Sequence, residues 1–372
     1  MRIGIDATAL PPQLFGVGNY IVNLTQALLR LEATNEYLIF AKSPHAEWFA
    51  GSGHAQVVRA NLPSRFHRIA WEQTFFPLLI RRHHLDVVHS PHYTTPILAA
   101  CAHIVTFHDM TFFSHPEAHL LYKRIFFRTM IAVSARRADA IIAISQNTHD
   151  DILRRLPINP AKVFTIPYGI ASIFRPMPKP AQDKIRRRYD LPAQFVLYVG
   201  NLEPRKNLPM LLRAFAQLVQ RGLPHALVLV GSRGWKEEPI FSTLRALNLG
   251  ARVFLPGYIP QDELPALYSA ASVFVYASRY EGFGLPVLEA MACGAPVITS
   301  NVASMPEIAG NAGVLIDPND ETELTDALGR VLTDDELRTR LARAGLERAQ
   351  SFSWERAAQA TLAVYERVAR AG

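Results

Sequence analysis

The sequence predicts an α/β protein with two doubly wound, Rossmann-like domains that face each other across a cleft. Short apolar runs alternate with helical patterns along the 372 residues. This order is typical of parallel sheets covered by helices on both faces. The alternation starts afresh after a proline-rich segment between residues 167 and 192. A chain of this length also suits two domains of ordinary size.

The first half contains the elements of one parallel sheet. Apolar and β-branched runs predict strands at 2–7, 37–41, 86–89, 103–108, 140–144 and 163–166. Helical periodicity predicts helices between them, for example at 19–31 and 117–137. We therefore place an N-terminal domain at residues 1–175.

The second half repeats this alternation. Strands are predicted at 195–200, 226–231, 252–255, 273–277 and 296–299, and helices at 208–220 and 262–270. These elements predict a second domain at residues 185–350. Three prolines and a charged run at 183–190 predict an exposed linker before it. An amphipathic helical pattern follows at 354–371.

Composition excludes several classes of protein. The sequence has no stretch of about 20 apolar residues, so we expect no transmembrane helix. The first ten residues lack the apolar core of a signal peptide. Two cysteines, Cys101 and Cys293, are too few for a disulfide framework or a four-cysteine zinc site. We expect a soluble protein of a reducing cytoplasm.

The net charge of +7 is unevenly distributed. Residues 1–180 hold 18 Lys and Arg against 11 Asp and Glu, whereas residues 181–372 hold 21 of each. Ordinary solvated faces explain such a pattern, but so does an anionic partner such as a nucleic acid, a lipid surface or a phosphorylated substrate. No nucleic-acid recognition motif accompanies the basic half, so we expect no nucleic-acid partner.

The loops after the strands are the places to look for a ligand, because open α/β sheets bind ligands at the carboxyl ends of their strands. Gly16 and Gly18 lead into the first helix, whose N-terminus attracts anions. The pair lacks the rest of a dinucleotide fingerprint, which disfavours a dehydrogenase. His108 lies at the end of the predicted strand 103–108, and His89 and His92 lie near the end of the predicted strand 86–89. Each could bind a sugar hydroxyl or shuttle a proton, or be a buried structural histidine.

Two further loops carry charged side chains. Arg205 and Lys206 follow Gly200 at the end of a predicted strand, a favourable position for binding a diphosphate. Glu281 lies in a loop after the strand at 273–277, and Glu289 lies early in the next helix. These two carboxylates could bind different hydroxyls of one ligand, including a vicinal diol such as ribose.

Together these segments resemble the retaining glycosyltransferases of family four, which have the GT-B fold. The resemblance rests on the spacing of Glu281 and Glu289, the Arg205–Lys206 pair, the early G-x-G and the F-H-D segment around His108. PYGI at 167–170 and SFSWERAA at 351–358 extend it over essentially the whole chain. The resemblance implies that the segment 354–372 is a helix that packs back on the N-terminal domain.

The resemblance also implies roles for individual residues. Glu289 binds the nucleotide ribose, Glu281 contacts the donor hexose, and His108 contacts the sugar near its 6-position. Arg205 and Lys206 bind the diphosphate and stabilise it as it leaves. Catalysis therefore falls to His108, Arg205, Lys206 and Glu281. The implied donor site comprises Gly16, Gly18, Gly200, Arg205, Lys206, Glu281, Gly282, Phe283, Gly284, Leu285 and Glu289.

Family members react with retention and need neither a metal nor another cofactor, and this sequence has no D-x-D triplet. The implied chemistry is front-face transfer, in which the leaving phosphate takes the acceptor proton. Similarity to bacterial mannosyltransferases of surface-polysaccharide assembly favours GDP-mannose as donor. UDP-glucose or a GDP-deoxyhexose would fit the same motifs. A catalytically silent GT-B scaffold or a pyridoxal-phosphate-dependent phosphorylase would share the same fold.

The expected acceptor is a glycan or a polyprenyl-diphosphate-linked saccharide, which places the enzyme at a membrane. Helical spacing at 117–137 puts Lys123, Arg124 and Arg128 in one sector with Phe127 and Ile131. Basic side chains interspersed with exposed apolar side chains are typical of a surface that binds anionic lipids. A buried helix with ordinary charged edges would have the same composition.

Overall fold

The computed structural model describes residues 1–11, 16–31, 34–49, 55–234 and 236–370. The chain forms two compact units. The N-terminal unit comprises Met1–Gly169 and Ser353–Gly372, and the C-terminal unit comprises Ile170–Phe352. Each unit is built on one parallel sheet with helical connections. The predicted class, α/β with two doubly wound domains, is therefore confirmed.

The strands of the N-terminal unit are β1 (Arg2–Asp6), β2 (Glu36–Lys42), β3 (Ala55–Ala60), β4 (Val87–Ser90), β5 (Ala102–Phe107), β6 (Ala140–Ala143) and β7 (Val163–Thr165). Among the described residues they form a sheet in the order β3-β2-β1-β4-β5-β6-β7. β1 lies between β2 and β4, with Ile3 opposite both Tyr37 and Val87. The central strands are buried on both faces, which explains their continuous apolar runs.

The helices that connect these strands are α1 (Val17–Arg30), α2 (Arg65–Arg82), α3 (Thr111–Ser114), α4 (Leu121–Arg137) and α5 (Gln146–Arg155). Short 3₁₀ helices lie at Ser43–Phe49, Pro116–Ala118 and Pro160–Lys162. The predicted helix at 117–137 is thus a 3₁₀ turn followed by α4. Ser64 caps α2 by accepting from the N–H of His67, and Ser145 caps α5 in the same way.

The C-terminal unit contains β8 (Phe195–Val199), β9 (Ala226–Val230), β10 (Val253–Gly257), β11 (Val273–Tyr276), β12 (Val297–Ser300) and β13 (Val314–Ile316). Their order within the described chain is β10-β9-β8-β11-β12-β13. The helices are α6 (Lys179–Arg188), α7 (Leu208–Gln220), α8 (Glu238–Ala246), α9 (Leu264–Ala270), α10 (Leu285–Ala292), α11 (Met305–Ala309), α12 (Glu321–Thr333) and α13 (Asp335–Ala349). Residues Pro204–Lys206 and Gly310–Ala312 form 3₁₀ turns.

Strands β3 and β13 were not predicted from the sequence, and both lie at sheet edges. Among the described strands β3 pairs with β2 alone, and most of its side chains are partly exposed, so it has no continuous apolar run. β13 is three residues long and has one fully buried side chain, Ile316. Edge strands bury less surface, which weakens the apolar pattern by which strands are recognised.

The charged run that we predicted as linker is instead helix α6 of the C-terminal unit. Ile185 is buried, the Tyr189 hydroxyl donates to Glu263 at 2.6 Å, and Arg188 also pairs with Glu263. Residues that were predicted to lie in an exposed linker therefore form the contacts between this helix and the segment just before α9.

The final helix, α14 (Trp354–Ala369), belongs to the N-terminal unit and packs against α1. Its Tyr365 hydroxyl lies 2.6 Å from Nδ1 of His89, a buried residue of β4. Gly169 is required at the start of this contact, because a Cβ there would lie 2.1 Å from the backbone nitrogen of Trp354. The close approach explains the glycine in the PYGI segment.

Helix α4 presents a different face from the predicted one. Ile131 is fully buried, and Phe127 packs against the core formed with β5 and β6. The outward apolar side chains are Leu121, Tyr122 and Ile125. The predicted sector of bases with exposed Phe127 and Ile131 is therefore wrong, because a helix beside a sheet turns its apolar stripe inward.

A wider apolar and basic surface nevertheless covers this side of the N-terminal unit. The segment 95–99 is hydrogen-bonded to Gln73 of α2 and to Arg137 of α4. Nine large side chains on α2, this segment and the start of α4 are 36–83% exposed: Phe66, Phe75, Leu78, Ile97, Leu98, Leu120, Leu121, Tyr122 and Ile125. We call them the α2–α4 surface. Within the described ranges, no helix is both long and apolar enough to cross a bilayer.

Candidate active site

The carboxyl ends of β8 and β11 carry the loops that hold the predicted residues of the C-terminal unit. The 3₁₀ turn Pro204–Lys206 follows β8, and the loop to α10 follows β11. Ser304 holds this loop by donating to the carbonyl groups of Glu281 (3.0 Å) and Phe283 (2.6 Å). Gly284 has φ = 108°, and a Cβ there would lie 2.2 Å from the Met305 methyl group. Only glycine fits this position.

Arg205, Lys206 and Glu281 form one buried charge cluster. Oε1 of Glu281 lies 2.6 Å from Nη1 of Arg205 and 2.7 Å from Nζ of Lys206. The Ser278 hydroxyl donates to the same oxygen at 2.6 Å. Nζ of Lys206 also donates to the Tyr276 hydroxyl at 2.5 Å. One carboxylate oxygen of Glu281 therefore receives all three of these contacts.

The charged groups of the cluster shift one another's pKa values. Burial alone would raise the pKa of Glu281, but Arg205 and Lys206 lower it to about 2. Burial and the charge of Arg205 lower the pKa of Lys206. Glu203 approaches Arg205 at 3.7 Å. Two cations and two carboxylates therefore balance, and a bound diphosphate would have to replace the carboxylates as their counterion.

Glu289 lies on α10 in a different environment. Its Oε2 accepts from the Tyr268 hydroxyl at 2.9 Å, and the side chain is buried. Burial raises the pKa of Glu289 to about 7, which the Tyr268 hydrogen bond only partly opposes. The group is therefore poised between its neutral and ionised forms near physiological pH.

Glu289 should make the stability of the protein depend on pH. The folded-state pKa is raised from 4.5, so its stabilising contribution is complete below about 4.5 and is lost as the pH rises through about 7. We expect the wild type to lose about 2–3 kcal/mol more unfolding free energy between pH 5 and pH 8 than Glu289→Gln. Urea unfolding at both pH values measures the difference. Equal pH dependence in the two proteins would contradict the raised pKa.

The other predicted residues of the C-terminal unit lie in the loops after β8 and β11 and at the start of α10. Gly200 directly follows β8, and a Cβ on Gly231 would lie 2.1 Å from the Gly200 carbonyl oxygen. Phe283 is buried and packs edge-on against Phe352. Gly282 and Leu285 are partly buried, and Leu285 begins α10. Backbone groups of this loop are therefore held at the start of a helix.

The N-terminal unit holds the remaining predicted residues. Gly16 precedes α1 with φ = 35°, and no atom of the described residues lies within 4 Å of where its Cβ would be. Gly18 is inside α1 and buried. The sequence analysis placed both glycines in a loop, but the helix begins at Val17. The segment 12–15 just before them lies outside the described residues.

His108 is buried at the end of β5. Its Nε2 donates to the carbonyl oxygen of Pro91 at 2.9 Å, so Nδ1 accepts from the Tyr168 hydroxyl at 2.6 Å. Burial lowers the pKa of His108 to about 4, so the ring is neutral. Tyr20 packs against both rings. Contact with a ligand would require one ring nitrogen of His108 to give up its present partner.

A cluster of titratable residues, of which only His92 was among the sequence-predicted candidates, lies at the same edge of this sheet. Asp6, Glu72 and His92 each place a possible metal-ligand atom within 4.8 Å of the others. Nη1 of Arg68 lies 2.5 Å from Glu72 and 3.2 Å from Nε2 of His92. Nε2 of His92 also lies 3.1 Å from Oδ2 of Asp6. Burial alone would raise the pKa of Asp6, but His92 and Arg68 lower it to about 2. A guanidinium thus supplies the positive charge among these groups. Asp6 is the last residue of β1, so inspection of the residues at strand ends could have identified it from the sequence.

Comparison with known proteins agrees with this architecture. The family described as glycosyl transferases group 1 matches residues 181–348, and glycosyltransferase family 4 matches residues 16–172. The O-antigen chain mannosyltransferase B of Escherichia coli is 30% identical, covering 98% of this chain and 100% of that protein.

Solved structures show the same fold. Sucrose-phosphate synthase from Thermosynechococcus elongatus has a TM-score of 0.79 and 26% identity, with full coverage of both chains. Anabaena Alr3699/HepE, solved in complex with UDP and glucose, has a TM-score of 0.75 and 18% identity over 99% of this chain and 98% of that one. Both matches run through the two parallel sheets and their helices. With a relative matched along its entire length and a family match to each half, the chain belongs to the family 4 glycosyltransferases of GT-B fold.

Proposed function

We propose that the protein transfers a mannosyl residue from GDP-mannose, with retention, to a growing surface polysaccharide. The observation that carries this proposal is the pair of cations, partly buried Arg205 and buried Lys206, whose shared counterion is a single oxygen of Glu281. Such a pair suits a diphosphate, whose charge grows as the glycosidic bond breaks. The name of the Escherichia coli relative supports mannose as the transferred sugar.

Each side chain has a distinct part in this chemistry. The diphosphate takes the place of Glu281 beside Arg205 and Lys206, so Glu281 can turn to the hydroxyls of the donor hexose. Glu289 accepts hydrogen bonds from the two ribose hydroxyls, which favours its ionised form. Binding of GDP therefore releases a proton below about pH 7. The leaving phosphate accepts the proton of the acceptor hydroxyl, so no side-chain base is needed.

The reaction is proposed to proceed without a metal or another cofactor. Arg205 and Lys206 supply two positive charges where a divalent ion would otherwise stand. In the cluster around Asp6, the Arg68 guanidinium likewise supplies positive charge where a metal ion would otherwise supply it. We expect full activity in excess EDTA. Loss of activity on chelation, restored by Mg²⁺ or Mn²⁺, would identify the Asp6 cluster as a metal site and overturn this part of the proposal.

The donor is tested by comparing nucleotides and nucleotide sugars on the purified protein. A ligand at 100 times its dissociation constant stabilises by about 2.7 kcal/mol, which thermal unfolding detects easily. We expect GDP and GDP-mannose to stabilise the protein and UDP to have little effect. Preference for UDP would favour UDP-glucose, and turnover of GDP-fucose in place of GDP-mannose would favour a GDP-deoxyhexose. Binding without any turnover would favour a scaffold.

We further propose that the acceptor is carried on a polyprenyl diphosphate and that the α2–α4 surface rests on an anionic bilayer. Helices α2 and α4 contain nine Lys and Arg but a single carboxylate, Glu72, which is buried and paired with Arg68. Exposed apolar side chains among unbalanced cations suit the interface of an anionic membrane. Each Lys or Arg near such a surface contributes about 1 kcal/mol.

Flotation with liposomes tests the membrane contact. Binding should increase with anionic lipid and decrease with salt. The variant Lys123→Glu/Arg124→Glu/Ile125→Ser should lose binding, whereas Arg340→Glu/Arg343→Glu on α13 should keep it. If the folded wild type ignores anionic liposomes at low salt, a soluble acceptor becomes the better proposal.

A further inference from the structure

A cavity of about 700 Å³ opens at the amino edge of the N-terminal sheet. Asp86, Asp139 and Lys162 line it, and each directly precedes a strand, namely β4, β6 and β7. Since parallel strands start at one edge, this cavity lies at the opposite edge from Asp6 and His108. The last turn of α14 contributes Arg367. Its volume lies in the range of about 300–1,000 Å³ that is typical of small-molecule sites.

Three cations line this cavity without a carboxylate partner. Arg137 donates to two backbone carbonyl groups, and Lys162 donates to one. The guanidinium of Arg367 lies over the ring of Phe164, 5.1 Å from its centre. Over the described part of the chain, none of the three forms an ion pair with Asp or Glu. Cations without a carboxylate partner favour the binding of a phosphate group, because charge-assisted hydrogen bonds to phosphate oxygens are strong.

Two carboxylates complete the lining. Oδ2 of Asp86 accepts from the N–H of Arg2 at 2.8 Å, and Oδ2 of Asp139 accepts from the N–H of His103 at 2.8 Å. These bonds fix both carboxylates in place, while each keeps further capacity to accept. A bare inorganic anion gains nothing from them and is repelled, whereas hydroxyl groups can donate to them. The ring of Phe164 adds an apolar wall.

We propose that this cavity binds a phosphorylated sugar of hexose size. Arg367, Lys162 and Arg137 hold the phosphate, and Asp86 and Asp139 accept from the sugar hydroxyls. The ligand contacts both the strand starts and the last turn of α14, so it stabilises the docking of this helix on the N-terminal sheet. The site is separate from the donor site and does not depend on the proposed function.

The test is calorimetric titration of the full chain with mannose 6-phosphate as the probe. Saturating GDP is present throughout, so that the cations of the C-terminal unit are occupied. We expect mannose 6-phosphate to bind at least about tenfold more tightly than either mannose or inorganic phosphate. Arg367→Glu should abolish this binding. Arg370→Glu, a matched change at the residue that follows the same helix and outside the cavity lining, should preserve it.

Three results would overturn the proposal: no binding of mannose 6-phosphate, equal binding of inorganic phosphate, or unchanged binding in Arg367→Glu. Hydrogen exchange of the wild type gives an independent reading that needs no variant. Mannose 6-phosphate should protect α14 and the start of β7 but not the loop before α10, and protection elsewhere would place the ligand at another site. GDP binding is measured in a separate titration of the same protein preparation, so failure of the donor proposal would be seen separately.

Discussion

Replacing Arg205 or Lys206 with alanine should lower the rate of mannosyl transfer by about 10²–10³-fold. Each side chain is nearly buried and carries a charge that is placed before the reaction begins. Removing one such preorganised group typically costs that much in turnover, because the diphosphate gains charge as it leaves. Initial rates with saturating GDP-mannose measure the effect.

The matched control is Arg213→Ala, which removes an arginine from an exposed pair with Glu321 on the same unit. It should leave the rate nearly unchanged, since exposed ion pairs contribute little. Circular dichroism establishes that the variants are folded. Near-normal turnover in both Arg205→Ala and Lys206→Ala would refute the assignment of these cations to the leaving group.

Glu281→Gln should destabilise the ligand-free protein and make its stability depend on bound GDP. In the wild type one oxygen of Glu281 neutralises two buried cations. Breaking a buried ion pair by removing one partner typically costs about 3–5 kcal/mol, because the remaining charge is left uncompensated. GDP brings new negative charge to the same cations, so it should raise the melting temperature of the variant more than that of the wild type.

Differential scanning calorimetry with and without GDP measures both parts of this expectation. Glu203→Gln is the control, because its carboxylate lies farther away, at 3.7 Å from Arg205. The control should show a smaller loss of stability and a smaller response to GDP. Wild-type stability and an ordinary GDP response in Glu281→Gln would show that Glu281 is not the counterion for which the diphosphate substitutes.

Most of the fold could be predicted from the sequence for a physical reason. A parallel strand covered on both faces must be apolar along its length, so β1, β5, β8 and β11 can be recognised from local composition alone. Edge strands such as β3 bury few side chains and leave no such pattern. Helix α6 was missed because its stabilising contacts are with the segment before α9, about 75 residues further along the chain.

The residues of the candidate site could be selected from the sequence, but their interactions could not. Spacing after predicted strands identified Arg205, Lys206, Glu281 and Glu289, because strand ends are where such sheets bind ligands. That three donors converge on one oxygen of Glu281 depends on contacts between residues up to 76 positions apart. The pKa values of about 2 for Glu281 and about 7 for Glu289 follow from those neighbours.

The sequence alone thus determined the α/β class, the two sheets and the charged residues at their strand ends, since each depends on local pattern. The tertiary structure decided what those residues touch. It directed Phe127 and Ile131 of α4 towards the core. It placed the Arg68 guanidinium within hydrogen-bonding distance of both Glu72 and His92. It also placed Arg367 of the last helix in the lining of the same cavity as Lys162. Burial and counterions come from distant segments of the chain, and no local pattern records which segments will meet.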